Sequence, residues 1–362
     1  LRRNFGLEIR AYTRYPDAIT LKPDFACKGN VLISYIIDPF LVGDESQISN
    51  GHTHHWESWL IAKAFQQMGY AVDVISFMDD HFIPQKNYDL FLAARTNFER
   101  IAKLLNKECI KIAHLDTSHW LFNNSAALKR SLEVQERRGV SLTSFKFIEY
   151  NWAIEYADYA TVLGNQFTVD TYSYAQKPIF RIPISSCNLY PWTPEKDFNH
   201  CRNSFLWFGS HGFVHKGLDL VLDAFVKMPD CHLYVCGPID DEPGFQGAFD
   251  EELYKTPNIH TLGWVDVDSE EFLEVSGKCV GLVYPSCAEG GGGSVIQCMH
   301  AGVIPLVSQE ASVDISNEYG LLLEGFSVDE IMRKVRMISS MPAPELEQMS
   351  RSAWEFAREN HT

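Results

Sequence analysis

The stretch Val283–Ser308, VYPSCAEGGGGSVIQCMHAGVIPLVS, decides the fold. It reads as an apolar strand ending at Tyr284, then a loop carrying Glu289 and four consecutive glycines, Gly290 to Gly293. A helical apolar pattern through Val295, Ile296 and Met299 follows, and then a second apolar strand, Ile304–Val307. Two buried strands joined by a helix of this length form a parallel crossover unit. The glycines let a ligand approach the backbone closely. A helix opening beside them aims N–H groups and a partial positive charge at the loop, which suits an anion such as phosphate. An acid next to that seat can hold hydroxyl groups, and phosphate together with hydroxyls describes a nucleotide-sugar.

The same alternation extends in both directions. Strand patterns occur at Asn30–Ile36, Ala71–Phe77, Tyr88–Ala93, Ile110–His114 and Tyr159–Leu163. Between the first two, Trp56, Leu60, Ala64 and Met68 recur every four residues, with Ile61 and Phe65 beside them, which predicts a helix ended by Gly69. A proline-rich stretch near 185–195 interrupts the pattern. It resumes with strands at Ser204–Phe208, Leu233–Cys236, Ile259–Leu262, Val280–Tyr284, Ile304–Val307 and Leu321–Leu323. Leu218, Val221, Leu222 and Phe225 mark a helix after the first of these. Asp268-x-x-Glu271 and Ser327-x-x-Glu330 predict capping boxes. The fold class is α/β, with two Rossmann-like, doubly wound parallel-sheet domains facing each other across a cleft. The domains are 1–187 and 188–345, followed by a C-terminal helix, 346–362, returning toward the N-terminal domain. Residues 1–28 show no assignable pattern. The chain begins without Met and ends within a pattern, so a longer gene product is expected.

The 362 residues suit two cores. A formal charge of −16, from 31 basic and 47 acidic residues, repels nucleic acid in the absence of a segregated basic patch. The densest basic stretch, Lys129-Arg130 and Arg137-Arg138, reads as a solvated helix face. Nine scattered cysteines with no C-x-x-C pattern argue against a zinc site or a disulfide framework and for a reducing compartment. No apolar run is long enough to span a membrane and no signal peptide opens the chain. The expected place is the cytoplasm, with peripheral attachment at the inner face of a membrane as the alternative.

Phe205–Phe225, FLWFGSHGFVHKGLDLVLDAF, and Val283–Ser308 together resemble the retaining family 4 (group 1) glycosyltransferases of the GT-B fold. In that family Gly-Arg…Lys-Gly is followed by Pro-Ser…Glu-Gly-Phe-Gly…Glu and a Gly-x-Pro-Val-Val strand. The resemblance implies a nucleoside-diphosphate-sugar donor as co-substrate, no further cofactor, no metal, and a glycan, lipid-linked glycan or other hydroxyl acceptor. It places Lys216 on the lysine that contacts the donor diphosphate and Glu289 on the first acid of Glu-x7-Glu, which binds sugar hydroxyls. Gly209, Ser210, His211, Gly290, Gly291, Gly292, Gly293 and Ser294 form the rest of the donor loops. Gln297 falls on the second acid, which holds ribose, and Trp264 and Val265 fall where the backbone meets the base.

Two departures stand out. The family's arginine is Ser210 here, and a hydroxyl cannot make bidentate phosphate contacts; His211, His215 and Arg181 are the candidates to supply the missing charge. Gln297 replaces a carboxylate, and Ser294-x-x-Gln297 also fits a capping box. Lys216 opposes the dipole at a helix start, which favours a nearby anion over a merely solvated lysine. In the N-terminal domain, expected to bind the acceptor, Asn50-Gly51-His52-Thr53-His54-His55 closes a long loop before a helix. No carboxylate or cysteine sits at a familiar metal-ligand spacing from its histidines, so Gly51 and His52 are expected to line the cleft. Asp116 and His119 lie beyond the strand Ile110–His114. His119 is preferred as the histidine near the reacting sugar, and His114 as a satisfied histidine of the strand. A nucleotide-sugar-binding protein without activity, a sugar-nucleotide epimerase and a phosphorylase are the other readings.

Overall fold

The computed structural model describes residues 18–51 and 53–362, so His52 and residues 1–17 lie outside the described residues. Two sheets carry the chain. The first contains β1 (Ile19–Leu21), β2 (Gly29–Tyr35), β3 (Tyr70–Ser76), β4 (Leu90–Ala93), β5 (Ile110–Leu115), β6 (Tyr159–Leu163) and β7 (Ile179–Ile182), in the order β1-β3-β2-β4-β5-β6-β7. All pairs are parallel except β1–β3, where Ile19 faces Val74. Thus the unassigned stretch 1–28 contributes an antiparallel edge strand, too short to show a period. The strand β7 was also missed, because three of its four residues are exposed.

The second sheet contains β8 (Ser204–Phe208), β9 (His232–Cys236), β10 (Ile259–Gly263), β11 (Gly281–Tyr284), β12 (Ile304–Ser308) and β13 (Leu321–Leu323), in the order β10-β9-β8-β11-β12-β13, all parallel. Strand order reverses between β2 and β4 in the first sheet and between β8 and β11 in the second. Ligands of such sheets bind beyond the carboxyl ends of the strands flanking that reversal.

Buried strands with both faces covered account for the apolar runs. On β2, Val31, Ile33 and Tyr35 pack into one core and Leu32 into another on the opposite face. The second domain has a single larger core, which also takes in Val134, Leu142, Leu163 and Ile184 from before the linker.

Three local expectations need correction. The Thr53–Gln67 helix forms, but it buries His54, Ser58 and Ala62, while Leu60 and Met68 are exposed. An offset of two residues is the opposite side of a helix with 3.6 residues per turn. Small residues win the inner face because they let the helix approach closely; the Ser58 hydroxyl donates to the Ile36 carbonyl at 2.7 Å. The helix Glu270–Lys278 is capped by Ser269, which accepts from Phe272 N, instead of Asp268. The Ser327 cap does form, accepting from Glu330 N, but the Glu330 carboxylate turns to the amides of Glu324 and Gly325.

The C-terminal helix runs Ala343–Asn360 and packs on β12 and the Gly293–His300 helix. Its body and its end also meet the linker: Trp354 Nε1 donates to the Tyr190 carbonyl at 3.0 Å, and Ser186 N donates to the His361 carbonyl at 3.0 Å. Among the described residues no helix is long and apolar enough to cross a membrane.

Candidate active site

A cleft of about 320 Å³ opens where the two reversal points face each other. The first domain contributes Gly51 and His54 after β2, Arg95 after β4 and Asp116 after β5; the second contributes Gly209, Ser210, Lys216, Trp264, Glu289 and Ser294, among others.

Glu289 is the centre of its polar wall. Its Oε1 accepts from Lys216 Nζ, Tyr284 Oη and Ser286 Oγ, each at 3.1 Å, and its Oε2 accepts from Lys146 Nζ at 3.1 Å. Lys216 also donates to Tyr284 Oη at 2.8 Å. Burial alone would raise the Glu289 carboxyl, but Lys146 and Lys216 hold it well below the usual range. Burial pulls the Lys216 ammonium down to about 8 against the pull of Glu289, and Lys146 pushes it the same way. The site is therefore a carboxylate clasped by two lysines.

The glycine loop has a packing reason as well as room for a ligand. A side chain at Gly290 would overlap the Asp116 carbonyl and come within 2.5 Å of Thr117 Cα, so glycine here allows the two domains to touch. Gly292 is the N-cap of the Gly293–His300 helix with φ of 57°, a left-handed conformation that glycine takes at little cost. Gly290, Gly292 and Gly293 line the cleft, whereas Gly291 packs against Ile184 outside its lining.

Gln297 lines the cleft, yet its side chain is held by the linker. Its Oε1 accepts from Ser186 Oγ at 2.8 Å, and its Nε2 donates to Tyr190 Oη at 2.9 Å and the Asn188 carbonyl at 3.3 Å. The capping-box reading fails, since the helix begins one residue before Ser294 and its N-cap is Gly292. Val265 is buried and Trp264 exposed at the cleft's rim.

On the first-domain side, Arg95 Nε donates to Asp116 Oδ2 at 2.8 Å. Arg95 has a φ of 64°, a conformation that costs a side-chain-bearing residue about 1–3 kcal/mol and clusters at functional sites. His54 Nδ1 meets Glu57 Oε2 at 2.8 Å, and its Nε2 lies 4.0 Å from Asp116 Oδ2. Burial works to raise Asp116, but Arg95 and His54 bring it below its ordinary value.

His119 is displaced from the cleft lining. Its Nδ1 caps the Trp120–Arg138 helix by accepting from Leu121 N, and its Nε2 meets Tyr174 Oη at 3.0 Å. His114 is buried between Glu57, at 3.2 Å, and the Thr161 hydroxyl, at 2.8 Å; among the described residues, the histidine in the cleft is His54. None of the three residues expected to replace the missing arginine charge lines the cleft. His211 sits outside the cleft lining, 3.6 Å from Asp241 Oδ2. Arg181 pairs with Asp314. Burial drives His215 down to about 3, so it is neutral, with Nε2 bonded to the Ala288 carbonyl.

Arg95 could have been read from its place just after a strand end. Lys146 could not, because it lies in the irregular stretch between Arg138 and Ala153. Among the described residues, one group, Asp79, Asp80 and His81, brings three potential metal-ligand atoms within 4.8 Å. None of the three lines the cleft.

Residues 202–340 match the family model described as Glycosyl transferases group 1. No curated protein matches the sequence. Among solved structures, the sucrose-phosphate synthase of Thermosynechococcus elongatus is similar at a TM-score of 0.62 and 15% identity, over 94% of this chain and 95% of that one. HepE of Anabaena, in complex with UDP and glucose, is similar at 0.55 and 12%, over 92% and 95%. S. aureus TarM, in complex with fondaparinux, α-GlcNAc-glycerol and UDP, is similar at 0.51 and 14%, over 75% of this chain; the chain spans 52% of TarM's length. The two parallel sheets facing across one cleft are the GT-B fold, and in its C-terminal domain the chain resembles the group 1 glycosyltransferases.

Proposed function

We propose that this protein is a retaining glycosyltransferase that moves a sugar from a nucleoside-diphosphate sugar to a hydroxyl acceptor. The observation that carries the reading is the Lys216–Glu289 pair, set beside the glycine loop and the amino end of the Gly293–His300 helix, at the reversal point of the second sheet. Lys216 and the helix end would stabilise the charge that develops on the leaving diphosphate. As the diphosphate takes over Lys216, Glu289 is released from that partner to hold the sugar's hydroxyls. The acceptor would lie between the sugar and the wall formed by His54, Arg95 and Asp116. Its hydroxyl attacks from the face that the phosphate leaves, and its proton passes to the leaving phosphate oxygen.

Positive charge from side chains and helix end makes this scheme independent of a bound cation, so transfer is expected to survive EDTA. The test incubates the protein with UDP-, GDP-, ADP- and TDP-sugars and a panel of hydroxyl acceptors and measures release of nucleoside diphosphate. UDP comes first because structures sharing this fold hold it. Lys216→Ala and Glu289→Ala are each expected to lower release by about 100-fold or more. Unchanged release in both variants sinks the assignment. Tight nucleotide binding with no release under any acceptor would favour a binding protein, a reading that the changes at Ser210 and Gln297 would then explain.

A further inference from the structure

A nucleoside diphosphate carries more negative charge than Lys216 alone balances, and the residue at the family's arginine position is Ser210. His211, His215 and Arg181 are engaged elsewhere or neutral. Lys146 stands in the cleft beside Lys216, whereas Arg95, which also lines it, is paired with Asp116. Lys146 Nζ lies 3.1 Å from Glu289 Oε2, while Lys216 Nζ lies 3.1 Å from Oε1 of the same carboxylate. Both lysines and Ser210 line one cleft.

The position of Lys146 is built. Asn123 Nδ2 donates to the Lys146 carbonyl at 3.0 Å. Two residues on, Asn124 clamps Ile148 through both backbone groups, accepting from its N–H at 2.9 Å and donating to its carbonyl at 2.8 Å. The stem of Lys146 runs over Gly212, where an added Cβ would lie 3.1 Å from both Lys146 Cβ and Cδ. Gly212 belongs to the turn Gly209-Ser210-His211-Gly212 that also carries the position of the missing arginine. Lys146 thus brings its charge to the same turn from the other side of the cleft.

We propose that Lys146 replaces that arginine as the second cation on the donor diphosphate, supplied by the N-terminal domain and not by the donor-binding domain. The inference rests on the glycosyltransferase reading above. In the free protein, Lys146 and Lys216 neutralise Glu289; with donor bound, both ammonium groups move to phosphate oxygens. Because the two lysines come from opposite domains, the donor then ties the domains together across the cleft.

Calorimetric titration with UDP, GDP, ADP and TDP first identifies the diphosphate that wild type binds, and the matching nucleoside serves as control. Lys146→Ala is expected to weaken the diphosphate by about 10–100-fold, the range of a lost hydrogen bond to a charged group, and to leave the nucleoside unchanged. Ser210→Arg introduced into Lys146→Ala is expected to restore most of the loss. Equal diphosphate affinity in Lys146→Ala and wild type overturns the inference and leaves the glycosyltransferase reading standing. Equal loss for nucleoside and diphosphate also overturns it. Wild type that binds none of the four overturns both.

Discussion

Arg130 reaches across the domain interface and donates to both oxygens of Asp219, at 3.0 and 2.7 Å, with both side chains buried. Arg137 and Arg138 extend the contact to Asp223, and Arg138 to Glu252 at 2.7 Å. The basic stretch that reads as a solvated face in sequence is therefore an interdomain seam. It holds the Trp120–Arg138 helix, and the Lys146 segment that follows, against the second domain.

Breaking that pair strands a carboxylate in the interior. Arg130→Ala is expected to cost about 3 kcal/mol, the low end of the range for a broken buried pair because Arg137 still reaches Asp219. Urea unfolding measures it. The double variant Arg130→Leu/Asp219→Leu is expected to recover most of the loss, since neither charge is then left buried alone. An additive double variant would show that the pair is not coupled.

Lys216 makes nucleotide binding depend on pH. Its folded value, about 8, lies below its ordinary 10.5 because burial disfavours the ammonium. In the free protein the charge is therefore lost as pH rises through about 8, and a bound diphosphate pulls the proton back. Affinity is expected to be flat below about pH 7.5 and to fall up to tenfold per pH unit above 8. The free protein behaves oppositely: the unfolded chain keeps this proton up to 10.5, so unfolding binds a proton between about 8 and 10.5 and stability gains from Lys216 as pH rises through that window. Titrations across pH 6.5–9.5 with wild type and Lys216→Met, which lacks the ionisable group, separate this residue from all others.

Gly290→Ala tests the contact between the domains. The new methyl overlaps the Asp116 backbone, so either the loop or the domain interface must shift. Overpacking of this kind costs about 1–3 kcal/mol. A lower melting temperature and a larger radius of gyration in solution scattering are the expected readouts. An unchanged radius would place the adjustment within the loop.

Gln297 has a partner for each polar atom in Ser186, Asn188 and Tyr190. Restoring an acid by Gln297→Glu would leave the Asn188 carbonyl facing a carboxylate, at a cost of about 1–3 kcal/mol. The variant is expected to lower stability while leaving the preference for UDP over 2′-deoxy-UDP within about threefold of wild type. A marked gain in that preference would give position 297 a ribose role.

Period and punctuation carry the architecture. The strands β2 to β6 and β8 to β13 are apolar runs because parallel strands covered on both faces repeat the same demand at each position, and that demand is visible locally. Lys216, Glu289 and the glycine loop were legible for the same reason, since they follow strand ends in order. The inner face of the Thr53–Gln67 helix was not. Its stripe of His54, Ser58 and Ala62 is polar and small, chosen by close approach and by hydrogen bonds to neighbours, which no hydropathy period records.

The partners of Glu289 show where local reading stops. Its position beside four glycines marks it as a site residue from the chain alone. That Lys146, 143 residues earlier, shares its carboxylate with Lys216 depends on the Arg130–Asp219 seam and on the Asn123 and Asn124 clamp. Likewise Gly290 reads as room for a ligand until Asp116 is seen against it. The strands and the donor loop follow from patterns among residues close in sequence, whereas the order of the strands rests on distant pairings such as Leu206 with Leu282. Charge balance across the cleft is set by the distance between two domains, a property of their packing that neither segment encodes by itself.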